Sequence, residues 1–185
     1  MSESTVDVAS YYNNGMSWEE YLESSSESVR MEHFFDDTEL DEDVLAFFNG
    51  RTPLQVLAIG EDWCPDVVQN VAVIARICDE VPGMELSVVK RDDNPELMKE
   101  YETNGKRRIP VIAFFDMTFR ELGRWAGRCK TADEWIFNDV LKGRALEMSA
   151  EQKKSFDATY DQRFTDQYME ETISEWQHLL MDEDF

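Results

Sequence analysis

Short apolar runs alternate with stretches of helical apolar spacing through the middle of the chain. Residues 54–59 form a mostly apolar run that ends at Gly60, which is typical of a strand buried in a parallel sheet. From 67 to 77 the apolar residues recur at helical spacing, and this helix is expected to end near Pro82-Gly83. Residues 85–90 predict the next strand, and Asn94-Pro95 opens a helix that runs to about Tyr101.

Two further strands follow in the pattern. Residues 111–115 predict a third buried strand, and a tight turn near 116–119 leads to a fourth strand at 121–126 that closes a hairpin. Gly127 precedes a helix predicted from about 131 to 146. The order strand–helix–strand–helix–strand–strand–helix predicts an α/β fold with a small mixed sheet flanked by helices.

Helical patterns flank this core on both sides. Residues 1–15 are polar and predicted to be frayed, whereas Ser17 and Glu20 form a capping box that begins a helix. A second helix is predicted at 39–48. Ser149 and Gln152 form another capping box, and an apolar stripe over 156–180 predicts a long C-terminal helix or helix pair. We therefore expect one domain over 1–185, with a helical N-terminal extension (1–50), a core (53–146) and a helical C-terminal extension (149–185).

The charge changes the picture of possible partners. The 185 residues carry a formal charge of −22, with 13 acids and a single base in residues 1–50 and 14 acids and five bases in 131–185. Nucleic acid is an unsuitable partner, because binding phosphates requires a basic face. No membrane span or signal peptide is evident, and three cysteines at no metal-ligand spacing indicate neither a disulfide framework nor a metal site. We expect an acidic, cytoplasmic protein.

The candidate chemistry lies between the first strand and the next helix, in Glu61-Asp62-Trp63-Cys64-Pro65-Asp66. With this order of elements, the motif resembles the active-site loop of the thioredoxin superfamily. Within it, the chain resembles a bacterial thioredoxin-like family with a Trp-Cys-x-Asp signature and helical additions at both ends. The stretches that carry the resemblance span nearly the whole chain: 61–66, 91–97, 109–110 with the following strand, 124–128 and the tail 168–180.

The resemblance implies that the Ile109–Pro110 peptide bond is cis and faces Cys64, where it would position the backbone of an extended substrate. It also implies that Cys64 is the nucleophile, that Trp63 walls the site and that Pro65 and Asp66 complete the active-site loop. The alternative for Pro110 is that it only begins a strand, a position that proline tolerates.

Cys64 departs from the dithiol pattern of that superfamily. A cysteine at a helix N-terminus is expected to have a lowered pKa, but Asp66 in the same turn opposes thiolate formation. Val67 stands where dithiol thioredoxins have their second cysteine, and Ala58 stands where they have a buried carboxylate. A monothiol cycle, resolved by glutathione or another small thiol, remains open beside the alternative that Cys64 is a relic.

The other two cysteines differ in whether they could form a disulfide with Cys64. Cys78 lies 14 residues further along the same helix, roughly 21 Å away along its axis, whereas a disulfide requires Cα atoms within about 7 Å. Cys78 is therefore interpreted as a buried apolar residue. Cys129 follows Gly127 in the loop that borders the substrate groove of thioredoxins, so a Cys64–Cys129 pairing is a hypothesis.

Four arginines surround the predicted site in the sequence. Arg107 and Arg108 precede Ile109-Pro110, and Arg124 and Arg128 belong to the neighbouring strand and loop. They either form a cationic rim that favours a thiolate and an anionic partner, or they pair with the protein's own acids such as Glu61, Asp62 or the C-terminal helix.

The sequence thus supports two functional hypotheses. The first is a monothiol-type thiol-disulfide oxidoreductase that uses Cys64 on a protein or peptide substrate, with a small thiol as reductant and no bound cofactor. The second is a redox-inactive thioredoxin-fold module that binds proteins or peptides in the same groove.

Overall fold

The structure is a computed structural model that describes residues 6–141 and 148–181. Four strands form one sheet in the order β2-β1-β3-β4, and their bounds are β1 (Leu54–Gly60), β2 (Met84–Lys90), β3 (Val111–Phe115) and β4 (Glu121–Ala126). β1 pairs with β2 in parallel and with β3 in antiparallel orientation, and β3 pairs with β4 as an antiparallel hairpin. The predicted mixed sheet flanked by helices is confirmed.

The central helix α5 (Pro65–Glu80) connects β1 to β2 and is buried over most of its length. It packs between the sheet and the helix α3 (Ser28–Asp37). Every residue of β1 is buried, which explains why its sequence is a nearly continuous apolar run rather than an alternating one. The short helix α6 (Pro95–Glu100) follows β2.

The N-terminal extension contains more helix than the sequence pattern predicts. Its helices are α1 (Val8–Asn13), α2 (Trp18–Ser24), α3 and α4 (Glu42–Asn49). The capping box of Ser17 and Glu20 is confirmed at the start of α2. The prediction of a frayed N-terminus is wrong for α1, which Asp7 caps and whose Tyr12 hydroxyl donates to the carbonyl of Glu85. The start predicted for α4 is three residues too early.

The C-terminal extension begins after α7 (Lys130–Trp135), which continues as a π-helix over Ile136–Leu141. The single α-helix predicted for 131–146 is therefore wrong in its second half, and 142–146 lie outside the described residues. α8 (Ala150–Arg163) starts at the predicted capping box of Ser149 and Gln152. A π-helical segment (Phe164–Tyr168) then joins α8 to α9 (Met169–Leu179).

Polar contacts hold α8 against the core. Arg30 of α3 makes an ion pair with Asp161 of α8 at 2.8 Å, and the Gln69 side chain of α5 donates to the same carboxylate at 2.9 Å. α9 is fixed separately, since the indole of Trp125 in β4 donates to Glu175 at 2.6 Å. The C-terminal helices thereby lie close to the N-terminal end of α5, where the candidate site is located.

Candidate active site

Cys64 is the N-cap residue of α5, and Pro65 occupies the first helical position, where its missing N–H is not needed. The Cys64 Sγ lies 3.8 Å from the carbonyl oxygen of Ile109. The Ile109–Pro110 peptide bond is cis, which is the conformation that the resemblance implies. The structure therefore brings Cys64, Ile109 and Pro110 together across the end of the sheet.

The Cys64 thiol is almost completely buried, which its position at a helix N-terminus does not predict. The residue is only 8% exposed, and burial raises the pKa of the thiol, with the charge of Asp66 adding to the effect. The backbone N–H groups of Asp66 and Val67 and the charge of Arg128 act in the opposite direction but do not outweigh burial. Of the two opposing effects that the sequence indicates, the lowering of the Cys64 pKa by the helix N-terminus is outweighed, because burial adds to the effect of Asp66.

Asp66 is the centre of a buried polar cluster. Its carboxylate accepts a hydrogen bond of 2.5 Å from the Tyr160 hydroxyl and pairs with Arg128 at 2.8 Å. Burial raises the pKa of Asp66, while the charge of Arg128 and the hydrogen bond from Tyr160 favour the ionised form. The sequence indicates Asp66 as a charge beside Cys64, but nothing in the sequence points to its partner Tyr160, which is 94 residues away.

The four arginines are all engaged by carboxylates of the same chain. The ion pairs are Arg107 with Glu102, Arg108 with Asp133, Arg124 with Glu121 and Arg128 with Asp66. These are not the partners named from the sequence, because Glu61 accepts from the backbone N–H of Asp92 and Asp62 accepts from Ser25 and Ser26. Of the two alternatives, the structure contains the one in which the four arginines pair with the protein's own acids. They do not form a free cationic rim.

Trp63 and Val67 take up opposite environments beside Cys64. Trp63 is 57% exposed, with the Arg91 guanidinium 5.0 Å from its ring centroid, so it projects from the surface next to the thiol. Val67 is fully buried, and a Cβ built at Gly60 would lie 2.8 Å from its methyl groups. The side chain at the position of the second cysteine therefore packs tightly against the end of β1.

All three cysteines are free. Cys129 is the N-cap residue of α7 and is 1% exposed, and burial raises its pKa to about 12. Its hypothetical pairing with Cys64 stays a prediction. Cys78, in the last part of α5, is half-buried rather than fully buried as interpreted from the sequence, and desolvation likewise raises its pKa.

The described residues give no support to a metal site or a membrane-spanning helix. Within 6–141 and 148–181, no three His, Cys, Asp or Glu side chains are grouped so that they could hold a metal ion. None of the helices in these ranges combines the length and apolar character of a membrane span.

Comparison with known proteins agrees with this geometry. A family model described as Thioredoxin matches residues 15–172, which is most of the chain. The chain belongs to the thioredoxin family. The matched region includes the whole sheet, Cys64 and the Pro110 loop, and it extends into both helical additions. No functionally curated protein matches the sequence.

Two solved structures share the thioredoxin fold of this chain. One is an HIV epitope-scaffold, with a TM-score of 0.69 and 15% sequence identity over 97% of this chain and 100% of its own. The other is a protein of unknown function from Pseudomonas aeruginosa, with a TM-score of 0.67 and 18% identity over 95% of this chain and 97% of its own. At these identities the likeness shows the fold alone, and it extends to the helical additions.

Proposed function

We propose that this thioredoxin-family protein performs monothiol thiol-disulfide exchange at Cys64, with an external thiol in place of the missing second cysteine. The observation that carries the proposal is the position of the Cys64 sulfur at the N-cap of α5, 3.8 Å from the Ile109 carbonyl oxygen and beside Pro110. The backbone N–H groups of Asp66 and Val67 lie at this helix start and act to lower the Cys64 pKa, so they favour the thiolate once it forms.

The exchange proceeds in two balanced steps. The Cys64 thiolate attacks a disulfide R–S–S–R′, forming Cys64–S–S–R and expelling R′–S⁻, which takes up the proton that Cys64 lost. A small thiol R″–SH then attacks as its thiolate on the R sulfur, forming R–S–S–R″ and returning Cys64 to its reduced state. A second molecule of thiol completes reduction of R and is oxidised in the process.

The raised pKa of Cys64 affects both the rate of its attack and the rate at which it leaves a mixed disulfide. Fewer molecules carry a thiolate at neutral pH, although each thiolate is a stronger nucleophile, so the rate of attack falls by less than the thiolate fraction does. As a leaving group, however, a thiol of high pKa departs slowly. The mixed disulfide between Cys64 and the substrate is therefore expected to be long-lived.

The remaining features fit a substrate whose disulfide lies in a protein, in a peptide or in a small molecule. Trp63 supplies an exposed aromatic face beside the sulfur, and Ile109 and Pro110 supply the loop against which an extended backbone is positioned. A reducing cytoplasm would provide the small thiol, such as glutathione. We place the chain with the bacterial thioredoxin-like proteins that carry the Trp-Cys-x-Asp signature as part of the same proposal.

A turnover assay tests the proposal directly. The wild type and Cys64→Ser are compared for reduction of a mixed disulfide of glutathione with a small thiol, with glutathione as reductant. Cys78→Ser is the matched control, because it removes a thiol of the same helix that lies far from the Ile109 carbonyl. Turnover that is lost only in Cys64→Ser supports the proposal, whereas equal turnover in wild type and Cys64→Ser refutes it.

A second candidate is a redox-inactive module that binds an extended peptide in the same groove. It is favoured by the burial of Cys64 and by the pairing of Arg108 and Arg128 with acids, both of which lower the reactivity of the site. It predicts that Cys64→Ser retains peptide binding and that the wild type has no turnover. Loss of peptide binding in a Trp63→Ala variant would locate such a groove beside the cysteine.

A further inference from the structure

Cys64 borders a cavity that the exchange reaction as described does not use. Its volume is about 280 Å³, just below the roughly 300–1,000 Å³ of pockets that bind drug-sized ligands. Its apolar wall consists of five side chains from the π-helical segment after α7, from Met148 and from α8: Ile136, Val140, Leu141, Met148 and Phe156. A slender aliphatic group is the kind of ligand that this wall accommodates.

The polar end of the cavity is formed by Cys64, Asp66, Arg128 and Tyr160. The last three side chains bond to one another, through the Tyr160–Asp66 hydrogen bond and the Asp66–Arg128 ion pair. Arg128 is thus neutralised within the cluster, and the protein as a whole carries a formal charge of −22. These charges disfavour an anionic ligand, and a neutral one meets no such penalty.

The missing second cysteine specifies the chemistry of that ligand. Val67 cannot resolve a mixed disulfide at Cys64, and Cys64 is a slow leaving group for a separate monothiol to displace. A partner that carries two thiols overcomes this, because its second thiol attacks intramolecularly at a high effective concentration. A dithiol therefore supplies from the ligand what the helix lacks.

We propose that this cavity binds the aliphatic chain of a neutral dithiol of the dihydrolipoyl type, which acts as the external resolving thiol for Cys64. The inference rests on the exchange reaction proposed above and names its reductant class. The apolar wall holds the chain, and the dithiol end lies at Cys64.

The reaction balances without any further reductant. One thiolate of the ligand attacks the Cys64 sulfur of Cys64–S–S–R and expels R–S⁻, the faster leaving group. The second thiolate then attacks the ligand sulfur now bound to Cys64, which closes the cyclic disulfide and releases the Cys64 thiolate. The dithiol is oxidised by two electrons, and R and Cys64 each recover a proton.

The test measures how fast a defined adduct on Cys64 is removed. The full chain is first treated with a methanethiosulfonate reagent, and peptide mass spectrometry locates the methylthio group on Cys64. Dihydrolipoamide and dithiothreitol are then compared as resolving dithiols, since dithiothreitol lacks the aliphatic tail. Dihydrolipoamide should act about tenfold faster and saturate, because burial of about two methylene groups corresponds to one power of ten.

Variants of the π-helix locate the effect. Val140→Trp fills the cavity and should lower the ratio of the two rates to about one. Met148→Trp, at another lining residue, serves the same purpose if Val140→Trp does not fold. Phe137→Trp is the matched control, because Phe137 lies on the same π-helix but is 62% exposed and outside the cavity. It should keep the wild-type ratio.

The outcomes separate this inference from the proposed function. A ratio near one in the wild type, or a ratio that Val140→Trp and Met148→Trp leave unchanged, overturns the cavity assignment even if the glutathione assay shows turnover at Cys64. The last arm uses a reduced lipoyl-lysine peptide in the same assay. If the rate of adduct removal saturates at a lower concentration of this peptide than of dihydrolipoamide, the dithiol is assigned to a protein-borne source. If it saturates at a lower concentration of dihydrolipoamide, the free amide is assigned. Saturation by neither overturns the inference.

Discussion

The hydroxyl of Tyr160 donates a hydrogen bond of 2.5 Å to the Asp66 carboxylate and thereby joins α8 to the first turn of α5. Tyr160 also stacks on Trp135 of α7 and on Phe156 of α8, so its ring links these two helices. The C-terminal extension is for this reason part of the environment of Cys64 and not only an addition to the fold.

Removing that hydroxyl should destabilise the protein. Tyr160→Phe keeps the ring stacking but leaves a buried carboxylate without one donor, which costs about 1–3 kcal/mol of unfolding free energy. Urea unfolding of the full chain measures the change. Tyr168→Phe is the matched control, since Tyr168 is equally buried but its hydroxyl has only a 3.5 Å contact with Arg163. Equal effects of the two substitutions would contradict the assigned role of Tyr160.

Asp66→Asn should make Cys64 more reactive. The substitution removes a negative charge that raises the Cys64 pKa and leaves Arg128, whose charge lowers it. The rate of iodoacetamide alkylation at neutral pH should rise several-fold, because a larger fraction of the thiol is ionised. Asp133→Asn removes the same charge from the partner of Arg108 and should change the rate much less. A slower rate in Asp66→Asn would show that the carboxylate promotes ionisation.

The pH profile of the wild type follows from the direction of the Cys64 shift. Because burial raises the pKa, the alkylation rate should still be rising above pH 9 and should show no plateau near neutrality. The same protein unfolded in urea provides the comparison, since its cysteines regain ordinary pKa values. A folded-state profile that levels off at lower pH than the unfolded one would contradict the effect of burial.

Val67→Cys should create the dithiol that the sequence lacks. Positions 64 and 67 lie one helical turn apart, within the roughly 7 Å between Cα atoms that a disulfide allows. Cysteine is smaller than valine, so it fits against Gly60, and oxidation should remove two free thiols from the thiol titration. Val68→Cys, equally buried, should retain all four thiols, and a Val67→Cys variant that also retains four would contradict the active-site geometry.

Local signals in the sequence predict much of the fold. The apolar runs of β1 and β3 and the capping boxes at Ser17 and Ser149 place those elements, because each depends on neighbouring residues alone. α3 has no such signal, since its N-cap residue Glu27 makes no capping bond and only Met31 and Phe34 are buried along it. The π-helix at Ile136–Leu141 likewise cannot be predicted from apolar residues at α-helical spacing.

The candidate site shows the same division between local and long-range information. The place of Cys64 at a helix start and of Pro110 before a strand can be predicted from order and spacing. The raised Cys64 pKa cannot, because it depends on burial and on the surroundings of Asp66. Those surroundings come from Arg128 and Tyr160, which are 62 and 94 residues away in the chain.

The most direct measurement is the intact mass of the full chain during incubation with glutathione disulfide, followed by peptide mapping. Monothiol exchange at Cys64 predicts a single glutathione adduct of about 305 Da on Cys64, formed faster at pH 9 than at pH 7 and absent in Cys64→Ser. The adduct should disappear when a thiol is added. An unmodified Cys64, or an adduct only on Cys78 or Cys129, would contradict the proposed exchange.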